Sequence, residues 1–330
     1  MLKSLKILTL IVFFLIPEIL FAKIICVDGS KSSAHSDGSC WQRPYTRLDD
    51  ALAAARSDKT ITQIWIAKGV YHPFTTYSPQ NNQQQTIIGG AFATQNRAGI
   101  TINGKYIHYT QSPKKYNEYL KTFQLVDGVS IYGGFKGNEQ SLQERDKNPK
   151  KHETILDGNL GNHSVWHVLS AGNDLTRQGV RLTLDRLTIR NGHAFNAPYF
   201  PTHFPLQKQQ VPIYYHDDGG GLYIFARSII TLNDVIFTNN QAVAGGAIFV
   251  QDGSKLTLKN CTFSRNRALN GAAINARLGG PNEFNKNVNR NTTVIIKNCR
   301  FLNNKSQLTP VIFGNDNQAF PDIKKYRIFY

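Results

Sequence analysis

Leu256-Thr-Leu-Lys-Asn-Cys-Thr-Phe-Ser-Arg-Asn266 holds two short runs of alternation around a break. Leu256 and Leu258 alternate with Thr257 and Lys259, the polar pair Lys259-Asn260 interrupts, and Cys261 and Phe263 resume the pattern. A period of two gives a strand one inward face, so the stretch reads as two strands joined by a corner. Three other stretches superimpose on it without gaps: Leu182-Thr-Leu-Asp-Arg-Leu-Thr-Ile-Arg-Asn-Gly192, Ile230-Thr-Leu-Asn-Asp-Val-Ile-Phe-Thr-Asn-Asn240 and Val294-Ile-Ile-Lys-Asn-Cys-Arg-Phe-Leu-Asn-Asn304. Glycine-led strands lie between them: Gly219-Gly-Gly-Leu-Tyr-Ile224, Gly245-Gly-Ala-Ile-Phe249 and Gly271-Ala-Ala-Ile274.

A unit of three short strands and three corners cannot bury its apolar face alone. Stacked copies can, because each strand then pairs in parallel with its counterpart in the next copy. The least interrupted step, Leu232 to Leu258, is 26 residues, a suitable length for one turn of a large solenoid. The alignment puts Phe237, Phe263 and Phe301 in one column and Asn240, Asn266 and Asn304 in another. Both columns are expected to be structural ladders, the asparagines taking left-handed corner angles and hydrogen-bonding from turn to turn. The expected fold is all-β, a single-stranded right-handed parallel β-helix. Its ends need covers. Thr46-Arg-Leu-Asp49 reads as a helix start and Leu48 to Ala55 as an N-terminal capping helix, followed by a strand at Ile64–Ala67. At the other end Val311-Ile-Phe313 reads as a last strand, with Tyr326 to Tyr330 lying across it.

The Gly-Gly-Ala-Ile and Phe-x-x-Asn elements resemble the repeat of the chlamydial-type polymorphic outer membrane proteins. Further upstream, Phe123-Gln-Leu-Val-Asp-Gly-Val-Ser-Ile-Tyr-Gly-Gly-Phe135, Glu139 to Arg145-Asp146, and Thr154-Ile-Leu-Asp-Gly158 resemble the wider family of bacterial secreted right-handed β-helix proteins. So do Asp37-Gly-Ser-Cys-Trp41, Leu48-Asp-Asp-Ala-Leu52 and Ile64-Trp-Ile-Ala-Lys-Gly-Val-Tyr71. The matches run in order through most of residues 26–304. The resemblance implies a pectin-lyase-like fold, a surface or secreted location, and adhesion or display as the role. The polymorphic membrane proteins end in an outer-membrane barrel, whereas 26 residues follow Asn304 here. A barrel needs many strands of about ten residues each, so self-anchoring of that kind is not expected.

Residues 1–22 read as a signal peptide: Lys3 and Lys6, an apolar run from Ile7 to Ile16, a break at Pro17-Glu18, then Phe21-Ala22. The run is short for a membrane span. The expected domain is 23–330, exported to the periplasm, the outer surface or the medium, with no transmembrane segment in the mature chain. The whole chain carries +16, and removing two lysines and one glutamate with residues 1–22 leaves +15. Such a charge attracts polyanions. The basic residues are scattered and no nucleic-acid motif accompanies them, so no specific nucleic-acid partner is expected.

Four cysteines form two plausible pairs, which suits an oxidising compartment. Cys26 and Cys40 bracket a Gly/Ser-rich loop and are read as a disulfide. Cys261 and Cys299 share the repeat column that Leu187 and Val235 also occupy, so they are either a second bridge or a reduced, inward-facing pair.

Three insertions interrupt the repeat, near 74–121, 193–217 and 277–292. Tyr106, His108, Tyr109 and Tyr116 in the first, with Tyr199, Phe200, Tyr214 and Tyr215 in the second, are candidate ligand-binding aromatics. Loops on a rigid scaffold commonly carry binding residues, and exposed rings stack on sugars or anchor proteins. The competing reading is that these rings fold each loop onto itself. His216-Asp217-Asp218 is the most enzyme-like cluster, since glycosidases use paired carboxylates. It runs directly into Gly219-Gly-Gly, however, which explains it as corner chemistry. No metal-ligand spacing and no nucleotide loop occur, so no metal or cofactor is expected. The leading expectation is a non-enzymatic, adhesin-like protein binding a glycan, envelope or host surface component. The alternatives are a polysaccharide lyase or hydrolase, and a passive display scaffold. An enzyme would require Asp185, Asp217, Asp218 and Asp234 to converge.

Overall fold

The computed structural model describes residues 22–32, 36–74, 118–119, 121–172, 178–194, 218–277 and 292–314, together with the backbone of short strands at 85–88, 91–94, 99–102, 105–108 and 328–329. The signal peptide read at 1–22 lies outside these residues except for Ala22.

The chain winds as a right-handed parallel β-helix whose coils visit three sheets in a constant order. The first sheet stacks Lys23–Val27, Ile61–Ala67, Ser130–Phe135, Arg181–Asp185, Ile229–Asn233, Lys255–Lys259 and Thr293–Lys297. The second stacks Gly69–Tyr71, Thr154–Asp157, Thr188–Arg190, Ile236–Thr238, Thr262–Ser264 and Arg300–Leu302. The third runs from Phe123–Gln124 through Leu169–Ala171, Leu222–Ile224, Ile248–Val250 and Ile274–Ala276 to Ile312–Gly314. In the C-terminal coils a short fourth sheet, Gln241–Ala244, Arg267–Asn270 and Lys305–Ser306, fills the corner between the second and third. The first insertion contributes two antiparallel pairs, Gln85–Ile88 with Ala91–Thr94 and Gly99–Ile102 with Lys105–His108.

Register makes the interior a set of columns. Leu184, Leu232, Leu258 and Ile296 are successive partners and all are buried. Phe237, Phe263 and Phe301 stack with ring centroids 5.3 and 4.9 Å apart and planes within 6°. That spacing is close to the strand separation of about 4.8 Å, so each ring covers the next and none touches water.

The asparagine ladder satisfies backbone groups that the corner would otherwise bury unpaired. Asn266 Oδ1 accepts the Asn240 N–H at 3.0 Å and Asn240 Nδ2–H at 3.1 Å, while Asn266 Nδ2 donates to the Phe237 carbonyl at 3.0 Å. Asn304 repeats the arrangement beneath Asn266, and Asn240 accepts the Gly192 N–H. The left-handed angles expected of these asparagines belong to the residue before each. Asn239, Arg265 and Asn303 have φ of 57°, 56° and 54°, and Asn191, which precedes Gly192 at the same corner, has 61°. Turning the chain one residue earlier is what points the following amide inward.

A second left-handed column, Arg186, Asp234, Asn260 and Asn298, turns the chain between the first and second sheets. Before the third sheet the turn needs glycine. Gly245 has φ 64°, and a Cβ on Gly246 would lie 2.5 Å from the Ala272 carbonyl oxygen of the next coil.

The N-terminal cap is the helix Leu48–Ser57, which buries Leu48, Ala51, Leu52 and Ala55. Its N-cap is Arg47, in an extended conformation and without a side-chain cap bond, so Thr46 does not start it. Asp49 instead turns its carboxylate to the Phe74 N–H, tying the helix to the end of the first coil. The strand after it begins at Ile61, three residues earlier than the apolar pattern indicates. Cys26 and Cys40 form the expected disulfide, with Cα atoms 4.3 Å apart. The bridge packs on the outer face of the first sheet, in a layer where Phe135 stacks on Trp65 at 4.8 Å and meets Trp41 at 5.4 Å.

Cys261 and Cys299 are free thiols rather than a second bridge. Cys261 is fully buried and Cys299 partly so. A hydrogen bond between them and burial hold the Cys261 thiol well above the ordinary range, while the same bond lowers Cys299.

At the C-terminal end Ile312–Gly314 closes the third sheet, as the sequence suggests. Ile328–Phe329 pairs in parallel with Arg300–Leu302 and so extends the second sheet instead of lying across the end; Tyr326 and Tyr330 are outside the described residues. The two larger insertions both leave after a second-sheet strand, at Phe74 and Ala194, and both rejoin before a third-sheet strand. They therefore share one corner.

Candidate functional site

The structure separates Asp185, Asp218 and Asp234, the described members of the carboxylate set on which an enzymatic reading depends. Asp218 is buried where the chain enters the third sheet, bridging to Ala244, and the Gly219 N–H donates to the Ala244 carbonyl at 2.8 Å. Asp234 is exposed at the opposite corner, between the first and second sheets. Asp185 ends a first-sheet strand and is ion-paired with Arg145 at 2.7 Å. That guanidinium also donates to the Gly133 and Leu142 carbonyls and lies over the Phe135 ring, 5.3 Å from its centroid. Asp185 is thus neutralised inside a structural clamp. His216 and Asp217 lie outside the described residues. Among the described residues no group of three or more His, Cys, Asp or Glu side chains is placed to hold a metal ion.

Of the candidate aromatics, Tyr106 and His108 fall on the strand Lys105–His108. Tyr109, Tyr116, Tyr199, Phe200, Tyr214 and Tyr215 are outside the described residues.

The structure does form a pocket of about 280 Å³, at the corner shared by the two larger insertions. Its foundation is Asp157, the buried last residue of a second-sheet strand. One carboxylate oxygen accepts Arg190 Nε–H and pairs with Nη2, each at 2.8 Å; the other accepts the Asn159 N–H at 2.9 Å and Asn191 Nδ2–H at 2.8 Å. Asn191, left-handed and therefore facing out, accepts Asn239 Nδ2–H at 2.6 Å. A chain of polar side chains thus crosses three coils, and each amide fixes the rotamer of the next.

The walls follow from this frame. Asn159, Asn162, Asn191, Asn239 and Gln241 supply five side-chain amides, His163 and His193 two imidazoles, and Ser164 a hydroxyl. Gly192 forms part of the lining where a Cβ would run into the Gly220 carbonyl. His163 packs against the Tyr119 ring at 4.6 Å, Tyr119 in turn lies over Trp166, and His163 Nε2 is buried without a hydrogen-bond partner. His193 is held by its N–H donating to the Val165 carbonyl at 2.8 Å. Partial desolvation depresses its pKa, which keeps the imidazole neutral at physiological pH. The lining is therefore dense in hydrogen-bonding groups and contains no carboxylate.

The pocket is not evident from the aromatic insertions. Its trace in the sequence is the doubled asparagine, Asn239-Asn240 and Asn303-Asn304, in which one amide serves the interior and the other the surface.

The profile of the Chlamydia polymorphic membrane protein (Chlamydia_PMP) repeat matches residues 234–251. The chain carries this repeat, and the matched span runs from the second-sheet corner through the pocket residues Asn239 and Gln241 to the third sheet. Among solved structures the chain is similar to pectin methylesterase PemA from Erwinia chrysanthemi, at 14% identity and a TM-score of 0.35 over 86% of this chain and 67% of that one. No curated protein matches the sequence.

Proposed function

We propose that this is an exported, surface-associated or released β-helix protein that binds a glycan in the amide-lined pocket. The observation that carries this reading is the lining itself. Each primary amide both donates and accepts hydrogen bonds, as a sugar hydroxyl does, so five of them around a neutral cavity match a polyhydroxylated ring. The volume is close to the lower end of ligand pockets, about 300 Å³, which suits one sugar ring of a longer chain. His163 and Tyr119 add an aromatic flank. The polymorphic membrane protein repeat supports a surface location, and the Cys26–Cys40 bridge fits an oxidising compartment.

A glycan array probed with the whole protein, paired with reducing-end and unsaturated-product assays on the same sugars, tests this. Binding is expected without product. Asn239→Gly, which deletes the amide and keeps the left-handed corner, should weaken binding about tenfold, the loss of one or two hydrogen bonds. His163→Ala should do the same. Product formation abolished by Asp217→Asn would establish the enzymatic alternative. A protein that binds no glycan would be left with display as its role.

A further inference from the structure

The pocket's outward columns continue beyond it into the C-terminal coils. Asn191 and Asn239 are followed at the same corner position by Arg265 and Asn303. His193 and Gln241 are followed by Arg267 and Lys305. Successive members stand about 4.8 Å apart along the axis. Arg265, Arg267 and Lys305 are exposed, and none of the three has an ion pair among the described residues.

Residues 218–277 and 292–314 contain nine basic side chains and three acidic ones. Asp234 and Asp252 sit at other corners, and Asp218 is buried at the third-sheet end of the fourth sheet, three residues along the strand from the Gln241–Arg267–Lys305 column. Arg267 and Lys305 are registered neighbours on adjacent strands, an arrangement that costs stability unless an anion lies between or over them.

We propose that the amide pocket and the Arg265, Arg267, Lys305 ridge form one elongated site for an acidic polysaccharide laid along the solenoid axis. One sugar ring occupies the pocket, and carboxylate or sulfate groups of the following rings meet the cations. This rests on the glycan reading of the pocket and adds to it the ligand's charge, length and direction. Single-stranded nucleic acid fits less well. Such strands are held by successive aromatic platforms, whereas among the described residues the ridge offers Arg265, Arg267, Asn303 and Lys305.

The test is calorimetric titration of the whole protein with uronate and sulfated oligosaccharides of increasing length, neutral oligosaccharides of matched length, and a single-stranded oligodeoxynucleotide. The ridge variant is Arg265→Asn, Arg267→Gln, Lys305→Gln, in which the first two residues are those that the same columns carry one coil earlier. The control variant, Lys255→Gln, Lys259→Gln, Lys297→Gln, removes equal charge from the first sheet. Affinity for acidic oligosaccharides should rise with length and fall with salt. The ridge variant should lose about tenfold for long acidic ligands, as three exposed charge pairs predict, and the control should not. Whether uronates or sulfated sugars gain more identifies the anionic group.

Equal losses in both variants would reduce the effect to net charge and overturn the proposal, as would an oligodeoxynucleotide binding with the same ridge dependence. If neutral sugars bind through Asn239 and His163 and acidic ones bind no better, the ridge fails while the pocket reading stands. If acidic sugars bind through the ridge and Asn239→Gly has no effect, the ridge stands as a surface while its union with the pocket, and the pocket reading, fail.

Discussion

Asn239 and Asn240 are chemically identical and do opposite things. Asn239 takes the left-handed angle and reaches outward to Asn191, while Asn240 is sealed inside and hydrogen-bonds the coils on either side. The inward column is legible in sequence because it repeats with the phenylalanines. The outward one is not, since Arg265 breaks its identity even though it keeps the backbone conformation. His167 is another residue that only packing explains. It is buried, its Nδ1 lies 3.0 Å from the Gly219 carbonyl, and Tyr223 flanks its ring. Because a carbonyl only accepts, Nδ1 carries the proton and Nε2 is a bare acceptor without a partner. Burial depresses the pKa from 6.5 to about 4. The unfolded chain protonates this histidine near 6.5 and the folded one does not until about 4. Its contribution to stability is therefore complete above pH 6.5, declines as pH falls through that window, and is gone below about 4. The loss should total about 3 kcal/mol. Denaturant unfolding across the window should show the wild type losing that much more than His167→Gln; parallel curves would mean the ring titrates normally.

At the scale of the element, the corners carry more constraint than the strands. Any apolar residue of suitable size serves inside a strand, as the succession of Leu156, Ile189 and Phe237 in one buried second-sheet column shows. The turn before the third sheet has no such latitude. Gly246→Ala would force its methyl group between the carbonyls of Arg267 and Ala272, so a loss above about 2 kcal/mol is expected, in the range of buried steric insertions. Gly128 also has a positive φ, of 76°, but nothing lies within 4 Å of its missing Cβ. Gly128→Ala should cost only the backbone strain, about 1 kcal/mol. Comparing the two by urea denaturation separates crowding from dihedral strain, and equal losses would contradict the crowding. The glycine pairs, the repeat length and the capping helix could all be read from the chain. The helix's true start could not, because Thr46 has the chemistry of a cap and Arg47 occupies the position.

For the whole molecule, the repeat placed the three main sheets in advance, but not the short fourth sheet that fills the corner between the second and third. The repeat's interruptions are less legible, because the sequence shows that 74–121 and 193–217 are inserted but not that both depart from one corner. Only closure of the coils brings that corner and the amide pocket together. Solenoid stability is a sum of coil and neighbour terms, and its two ends differ. The first coil is covered by a helix and a disulfide, whereas Thr293–Lys297 has a strand partner on one side alone among the described residues. Amide hydrogen exchange should accordingly be faster in Thr293–Lys297 than in Lys255–Lys259, which is paired on both sides. Equal protection followed by mass spectrometry would show that the whole stack opens as one unit.

Every strand pairing between coils is parallel, and that has a consequence for anything long that lies against them. Parallel stacking relates one coil to the next by translation, so no twofold axis crosses the solenoid and its two directions are inequivalent. A polymer placed along the corner meets the neutral pocket at one terminus and a row of cations over the rest. Turned end for end, the same polymer meets different chemistry at every ring. The scaffold thus distinguishes head from tail, and a saccharide's reducing and non-reducing ends would be told apart before any single residue reads its identity.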